Sequence, residues 1–266
     1  MRQRIRGAAA LAAIALVATA CGGDSDTDDP AEGTDTTEES GEGTEGEDEG
    51  AATGDDVLVV GTTERPSTID PAEVYEKMAS DFLFNTTDRL VELEPGTGDA
   101  IPGVAESWEI SDDALTYTFT LREGVTFQDG SELTSEDVKF SLERALNINH
   151  PDSASFLISS IESIEAPDDL TVVITTSQPN VTFLSRLAYT VATIVPSDGD
   201  VYTAPDGPLG SDGEPPSAEE ADEYIVGDTI VGSGAYEMTE FSPDTGATLE
   251  AWDGYWGEAP AISTIQ

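Results

Sequence analysis

The sequence predicts a mixed α/β chain with partly antiparallel sheets. Two observations carry that expectation. Runs of period two alternate with runs of helical period, and neighbouring strand-like runs are joined by short turns that make hairpins. The clearest case is "LTYTFTL": Leu115, Tyr117, Phe119 and Leu121 fall on one face, and Thr116, Thr118 and Thr120 on the other. That alternation is the signature of a half-buried strand.

Taken in order, "VLVVGT" (Val57 to Thr62) is a short β-branched run ending in glycine and reads as a buried strand. "TERPSTIDPAE" is a loop, because Pro66 and Pro71 forbid regular structure. "EKMASDFLFNTTDRLVEL" places Met78, Phe82 and Leu83 at helical spacing. After the alternating strand, "REG" turns the chain into "VTF" and "QDG" closes the next turn. "LTSEDVKFSLERAL" is a helix capped by Thr134 with Asp137 three residues on, and Val138, Leu142, Ala145 and Leu146 form its buried stripe. "LTVVITT" (Leu170 to Thr176) is a further strand, and "VTFLSRLAYTVATIVP" reads as a helix running into a strand. Residues 198–229, rich in Pro, Gly and acids, form a surface insertion. "AYEMTEF" and "ATLEAW" make a closing hairpin about "SPDTG".

The N-terminus reads as a processing signal. Arg2, Arg4 and Arg6 precede a short apolar run from Ala8 to Ala20, and small residues lead directly to Cys21, the single cysteine of the chain. This resembles a bacterial lipoprotein signal (1–20), in which Cys21 is acylated and tethers an exported protein to the outer face of the cytoplasmic membrane. A plain secretory signal cleaved near Ala20 is the alternative. Residues 21–56 then form an acidic tether: Gly22 to Asp56 carries fifteen acids and no Lys or Arg, too little apolar surface to fold. "DSDTDD" lacks the turn glycine and closing glutamate of a calcium loop.

Charge excludes one class of partner. The formal net charge is −45, the wrong sign for binding nucleic acid. The acids either keep the surface hydrated at high salt, a halophile-like trait, or attract cationic ligands. The first reading predicts an unfolding midpoint that rises steeply with molar salt.

Nothing in the chain resembles an enzyme. The one histidine, His150, lies in the polar stretch "NINHPDS" and reads as a surface loop residue; a lone histidine also argues against a metal site. "VGSGAY" does not fit a nucleophile elbow, and phosphate loops, dinucleotide fingerprints and zinc-protease motifs are all missing, so no cofactor is expected. "VGSGAY" does offer a hydroxyl at Ser233 and glycines for close backbone approach, while "WDGYWG" supplies Trp252, Tyr255 and Trp256 to a core or to a cleft.

Two longer blocks then carry a resemblance. "GVAESWEISDDALTYTFTLREGVTFQDGSELTSEDVKFSLERAL" and "VGSGAYEMTEFSPDTGATLEAWDGYWGEAPAISTI", in that order and after the early "IDP" (Ile69 to Pro71), are similar to the signature regions of the peptide/nickel-type (family 5) extracellular solute-binding proteins of ABC importers. The resemblance implies a two-lobed, periplasmic-binding-protein-like fold of cluster C type. Lobe I would comprise 57–78 and 177–266, and 79–176 would be an extra family-specific domain. It further implies ligand contacts from Thr62, Thr63 and Glu64, from Glu73, Tyr75 and Glu76, and from Ser233, which stands where the family usually has Thr. The implied protein is a monomer that captures a peptide or similar small solute for an ABC permease. Ligands such as a sugar, an opine or a nickel chelate are the alternative, and a surface interaction or sensory lipoprotein without transport is another. Family members continue well beyond this length, so the second lobe is expected to be missing, the closing "ISTIQ" strand unpaired, and affinity from one lobe weak.

Overall fold

The computed structural model describes residues 56–198, 201–204 and 217–266. The signal, Cys21 and almost all of the acidic tether lie outside these residues.

In chain order the strands and helices are β1 (Val57–Leu58), α1 (Lys77–Thr86), β2 (Val91–Leu93), β3 (Ala100–Pro102), β4 (Ala105–Ile110), β5 (Thr116–Leu121), α2 (Ser135–Ile148), β6 (Ile161–Asp168), β7 (Thr171–Thr176), α3 (Phe183–Leu187), α4 (Ala218–Asp222), β8 (Tyr236–Ser242), β9 (Gly246–Ala251) and β10 (Thr264–Ile265). They assemble into an antiparallel sheet of order β4-β5-β7-β6, a small β2-β3 pair, and a mixed sheet of order β1-β10-β9-β8. The fold class is therefore the mixed α/β class that the sequence implies.

The antiparallel sheet holds the main core. Tyr117, Phe119 and Leu121 are buried on one face of β5, and Val172 and Ile174 of β7 lie beside them. α2 packs across this layer through Val138, Leu142 and Ala145, with Phe127 and Leu133 from the connecting turns. Its N-terminus carries the expected capping box: the backbone N–H of Thr134 donates to Asp137 Oδ2 at 2.7 Å. Phe183, Leu187, Val191 and Ile194 share the same core.

A second, smaller cluster lies under the mixed sheet, where Ile69, Val74, Phe82 and Leu83 meet Tyr236 and Leu249. One buried ion pair ties the "IDP" turn to α2. Arg144 donates to both carboxylate oxygens of Asp70 at 2.7 Å, and the two side chains are 2% and 0% exposed. Asp70 also accepts the backbone N–H groups of Ala72 and Val226, while Arg144 donates to the carbonyls of Thr203 and Tyr224. With its remaining polar atoms satisfied, the pair is tolerable in an apolar setting.

Four expectations are corrected. The "VLVVGT" strand is not buried: it narrows to two residues, and Val57 to Val60 are 45–72% exposed, because β1 pairs on one side only, with β10. The "ISTIQ" strand is not unpaired: β10 sits between β1, in parallel, and β9, antiparallel. The segment after α3 does not become a strand; a 3-10 turn at Thr190–Ala192 leads into an extended stretch without a sheet partner among the described residues. The flanks of the 198–229 segment are not merely superficial. Tyr202 is buried over the Arg144 guanidinium, 5.3 Å from ring centre to carbon, and Ala221 of α4 packs with Ala72 and Ile148.

Candidate ligand-binding surface

The residues singled out in the sequence fall in three places. Thr62, Thr63 and Glu64 follow β1 as an exposed loop, held by the Glu64 N–H donating to Thr62 Oγ1 at 3.0 Å. They border an open groove of about 1060 Å³. Its lining is apolar where Met78, Phe82, Phe241 and Leu249 reach it. At its rim Arg65 pairs with Asp244 at 2.9 Å, two exposed side chains that contribute little stability.

Past Pro66 the chain enters a smaller hollow of about 70 Å³, lined by Ser67, Thr68, Glu73, Tyr75, Glu76 and Asp152. Glu76 accepts the Ser67 hydroxyl and N–H at 3.2 and 3.3 Å, which fixes the loop against the start of α1. The Glu73 carboxyl is pushed up, first by burial, with His150 opposing and Asp222, Asp70 and Asp152 adding to the rise.

His150 is the organiser of this corner and is not a surface residue; it is 5% exposed. Its Nδ1 accepts the Asp152 N–H at 3.2 Å, which places the ring hydrogen on Nε2, where Asp222 Oδ1 lies at 3.0 Å. Glu73, His150 and Asp152 bring potential metal-ligand atoms within 4.8 Å of one another. Both ring nitrogens are already engaged, so a metal would have to displace one of these hydrogen bonds.

A row of rings starts here. Tyr75 meets Phe156 edge-to-face at 5.8 Å and Tyr189 at 6.0 Å, and Tyr189 meets Phe84 at 6.5 Å. Phe84 in turn lies against the buried Arg89 guanidinium at 4.7 Å. Phe84, Phe156, Tyr189 and Asp152 carry no local pattern that marks them in the sequence. They come from segments separated by dozens of residues, and the fold alone brings them together.

Ser233 stands apart from both hollows. It is fully buried, and its hydroxyl donates to Asp88 Oδ2 at 3.0 Å. The same oxygen accepts the Trp256 indole N–H at 2.8 Å. The close approach that the glycines on either side of Ser233 permit is made to α1: Gly234 N–H donates to the Thr86 carbonyl at 3.1 Å, and a Cβ at either glycine would strike the Thr86–Thr87 backbone. Gln128 clamps the junction, accepting from Gly232 N–H and donating to the carbonyls of Thr86 and Tyr236. Burial raises the Asp88 pKa to about 6, against the lowering effect of the Trp256 and Ser233 hydrogen bonds and of Arg89. Trp256 is half-buried against the main core, with Tyr255 5.5 Å away between ring centres.

Comparison with known proteins agrees with this architecture. The profile of bacterial extracellular solute-binding proteins, family 5 Middle, matches residues 99–266. The dipeptide-binding protein of Escherichia coli K12 is 32% identical over 201 residues, which cover 69% of this chain and 34% of that protein. The structure of the binding protein AgaA of A. tumefaciens R10, in complex with agropinic acid, is 29% identical with a TM-score of 0.62, over 79% of this chain and 38% of that one. The Helicobacter pylori ABC transporter-associated periplasmic binding protein DppA, in complex with the peptide STSA, is 27% identical with a TM-score of 0.61, over 79% and 41% of the two chains. This chain thus spans between a third and about two fifths of the length of these relatives. The described residues have the fold of cluster C periplasmic binding proteins, and none of their helices is long and apolar enough to cross a membrane.

Proposed function

The chain belongs to the family 5 bacterial extracellular solute-binding proteins, a family of binding proteins and not of enzymes, and on that premise we propose that it captures a peptide or similar small solute outside the cytoplasm for an ABC importer. The observation that carries this reading is the profile match over residues 99–266, joined to the likeness to a dipeptide-binding protein. In the proposed arrangement the lobe built on β1, β8, β9 and β10 presents Thr62, Thr63 and Glu64, and the adjoining turn presents Glu73, Tyr75 and Glu76. Ser233 acts through Asp88 in holding the strand-to-sheet junction. Acylated Cys21 would hold the monomer at the outer face of the membrane, within reach of the permease. The excess of surface acids would keep it hydrated and folded at high salt.

Likeness to a binding protein solved with agropinic acid supports a second reading, in which the solute is not a peptide. Isothermal titration of the purified protein with a dipeptide and tripeptide library, and with opines, separates the two. Saturable heat from peptides alone supports the first. Saturable heat from opines alone supports the second, and no heat from either class refutes solute capture by this chain.

A further inference from the structure

Two distant segments, 73–76 and 150–156, meet at one end of the ring row, and each brings an exposed ring together with carboxylates. Tyr75 stands between Glu73 and Glu76, and Phe156 follows Asp152 by one helical turn's worth of chain. Tyr75, Phe156 and Phe84 are 52%, 54% and 41% exposed. A single exposed ring needs no explanation, but four rings linked edge-to-face make a stiff apolar patch of the kind that receives a partner.

The charge around the patch narrows what that partner is. Aromatic faces carry negative electrostatic potential and attract ammonium groups. The carboxylates of Glu73, Glu76 and Asp152 rim the same hollow. Among the described residues no basic side chain lines this hollow; His150 beside it has both ring nitrogens taken up by the Asp152 N–H and the Asp222 carboxylate. A ligand carboxylate in this hollow would meet like charge, Arg186 lying outside its lining with its guanidinium donating to the Leu157 carbonyl, and the net charge of −45 would repel it during approach. Resting on the solute-binding reading, we infer that the Tyr75–Phe156 end of the row accepts a solute that joins an aromatic or other apolar group to an ammonium group. The surface is thus selective for cationic amines over carboxylates.

The test compares two probes of nearly equal shape and opposite charge, tyramine and 3-(4-hydroxyphenyl)propionate, by saturation-transfer NMR titration of the full chain at low salt. The expected result is saturable binding of tyramine, about ten-fold or more tighter than the propionate, as a ring–cation contact combined with carboxylates implies. The double substitution Tyr75→Ala/Phe156→Ala should abolish it, and Glu73→Gln/Asp152→Asn should shrink the preference toward unity with the ring contact retained. Both pairs alter exposed or half-exposed side chains, and circular dichroism checks that the variants fold. Equal affinity for the two probes overturns the inference while leaving solute capture standing. Tyramine binding that persists in the Tyr75→Ala/Phe156→Ala protein also overturns it, since that is general attraction to an acidic surface. Peptides that bind elsewhere without competing with tyramine separate failure of this inference from failure of the solute-binding reading.

Discussion

The two four-stranded sheets among the described residues bury their side chains differently. In the β4-β5-β7-β6 sheet the apolar face is covered at its centre: Phe119, Val172 and Ile174 are fully buried beneath α2 and the turns around Phe127 and Leu133, while Ile110 on the edge strand β4 stays 46% exposed. In the β1-β10-β9-β8 sheet the smaller core closes over Tyr236 and Leu249, yet Val57 to Val60 stay 45–72% exposed and the loop after them borders an open groove. The first sheet is scaffold, closed except at its β4 edge. The second leaves apolar surface open beside hydroxyls and carboxylates, the property on which the proposed recognition surface rests.

Substitutions that probe the two sheets should sharpen this contrast. Phe119→Ala is expected to cost about 3–5 kcal/mol in chemical denaturation, whereas Val59→Ser, on the open side, should stay within about 0.5 kcal/mol. Comparable losses at both positions would mean that the second sheet is as closed as the first. Arg144→Met removes one partner of the buried pair and strands Asp70, for an expected loss of about 3–5 kcal/mol; a neutral outcome would show that the link between the "IDP" turn and α2 is dispensable.

Asp88 lies where the β8 entrance meets α1, and its effect depends on pH. Its pKa in the folded protein is raised to about 6 from the ordinary 3.8, so the protonated form is favoured by folding. Its contribution is fully present below the unfolded value and is lost as pH rises through about 6. The stability difference between Asp88→Asn and the parent should therefore grow in favour of the variant between roughly pH 4 and pH 6, by at most about 3 kcal/mol. Urea denaturation across that range checks it, and a difference independent of pH would contradict it. A smaller loss is expected for Thr134→Ala, about 1 kcal/mol from removal of the capping box, read as a shift in the same denaturation midpoint.

The scaffold was the legible part of the sequence, because its signals are local. Thr116 to Leu121 alternates, and Thr134 with Asp137 spells a helix start, so β5 and α2 follow from spacing alone. The open sheet is less legible for the converse reason. Valine-rich Val57 to Val60 looks like buried strand, and only its place at the sheet edge leaves it exposed. β10 has two residues and gains its place from partners about fifteen and two hundred positions away, which no window of sequence contains. His150 sits among polar neighbours in the sequence, and its burial, with Asp222 72 residues on at its Nε2, comes from contacts that no local pattern contains. The glycines beside Ser233 announce a close backbone approach, and the backbone they admit is that of α1.

Hydrogen exchange with and without a bound solute tests the contrast most directly. A dipeptide or amine that binds should slow exchange at residues 59–66 and 73–76 and leave Thr116–Leu121 and Thr171–Thr176 unchanged. Slowing confined to the β5–β7 sheet, with none in those two loops, would contradict the assignment of the open sheet as the recognition surface.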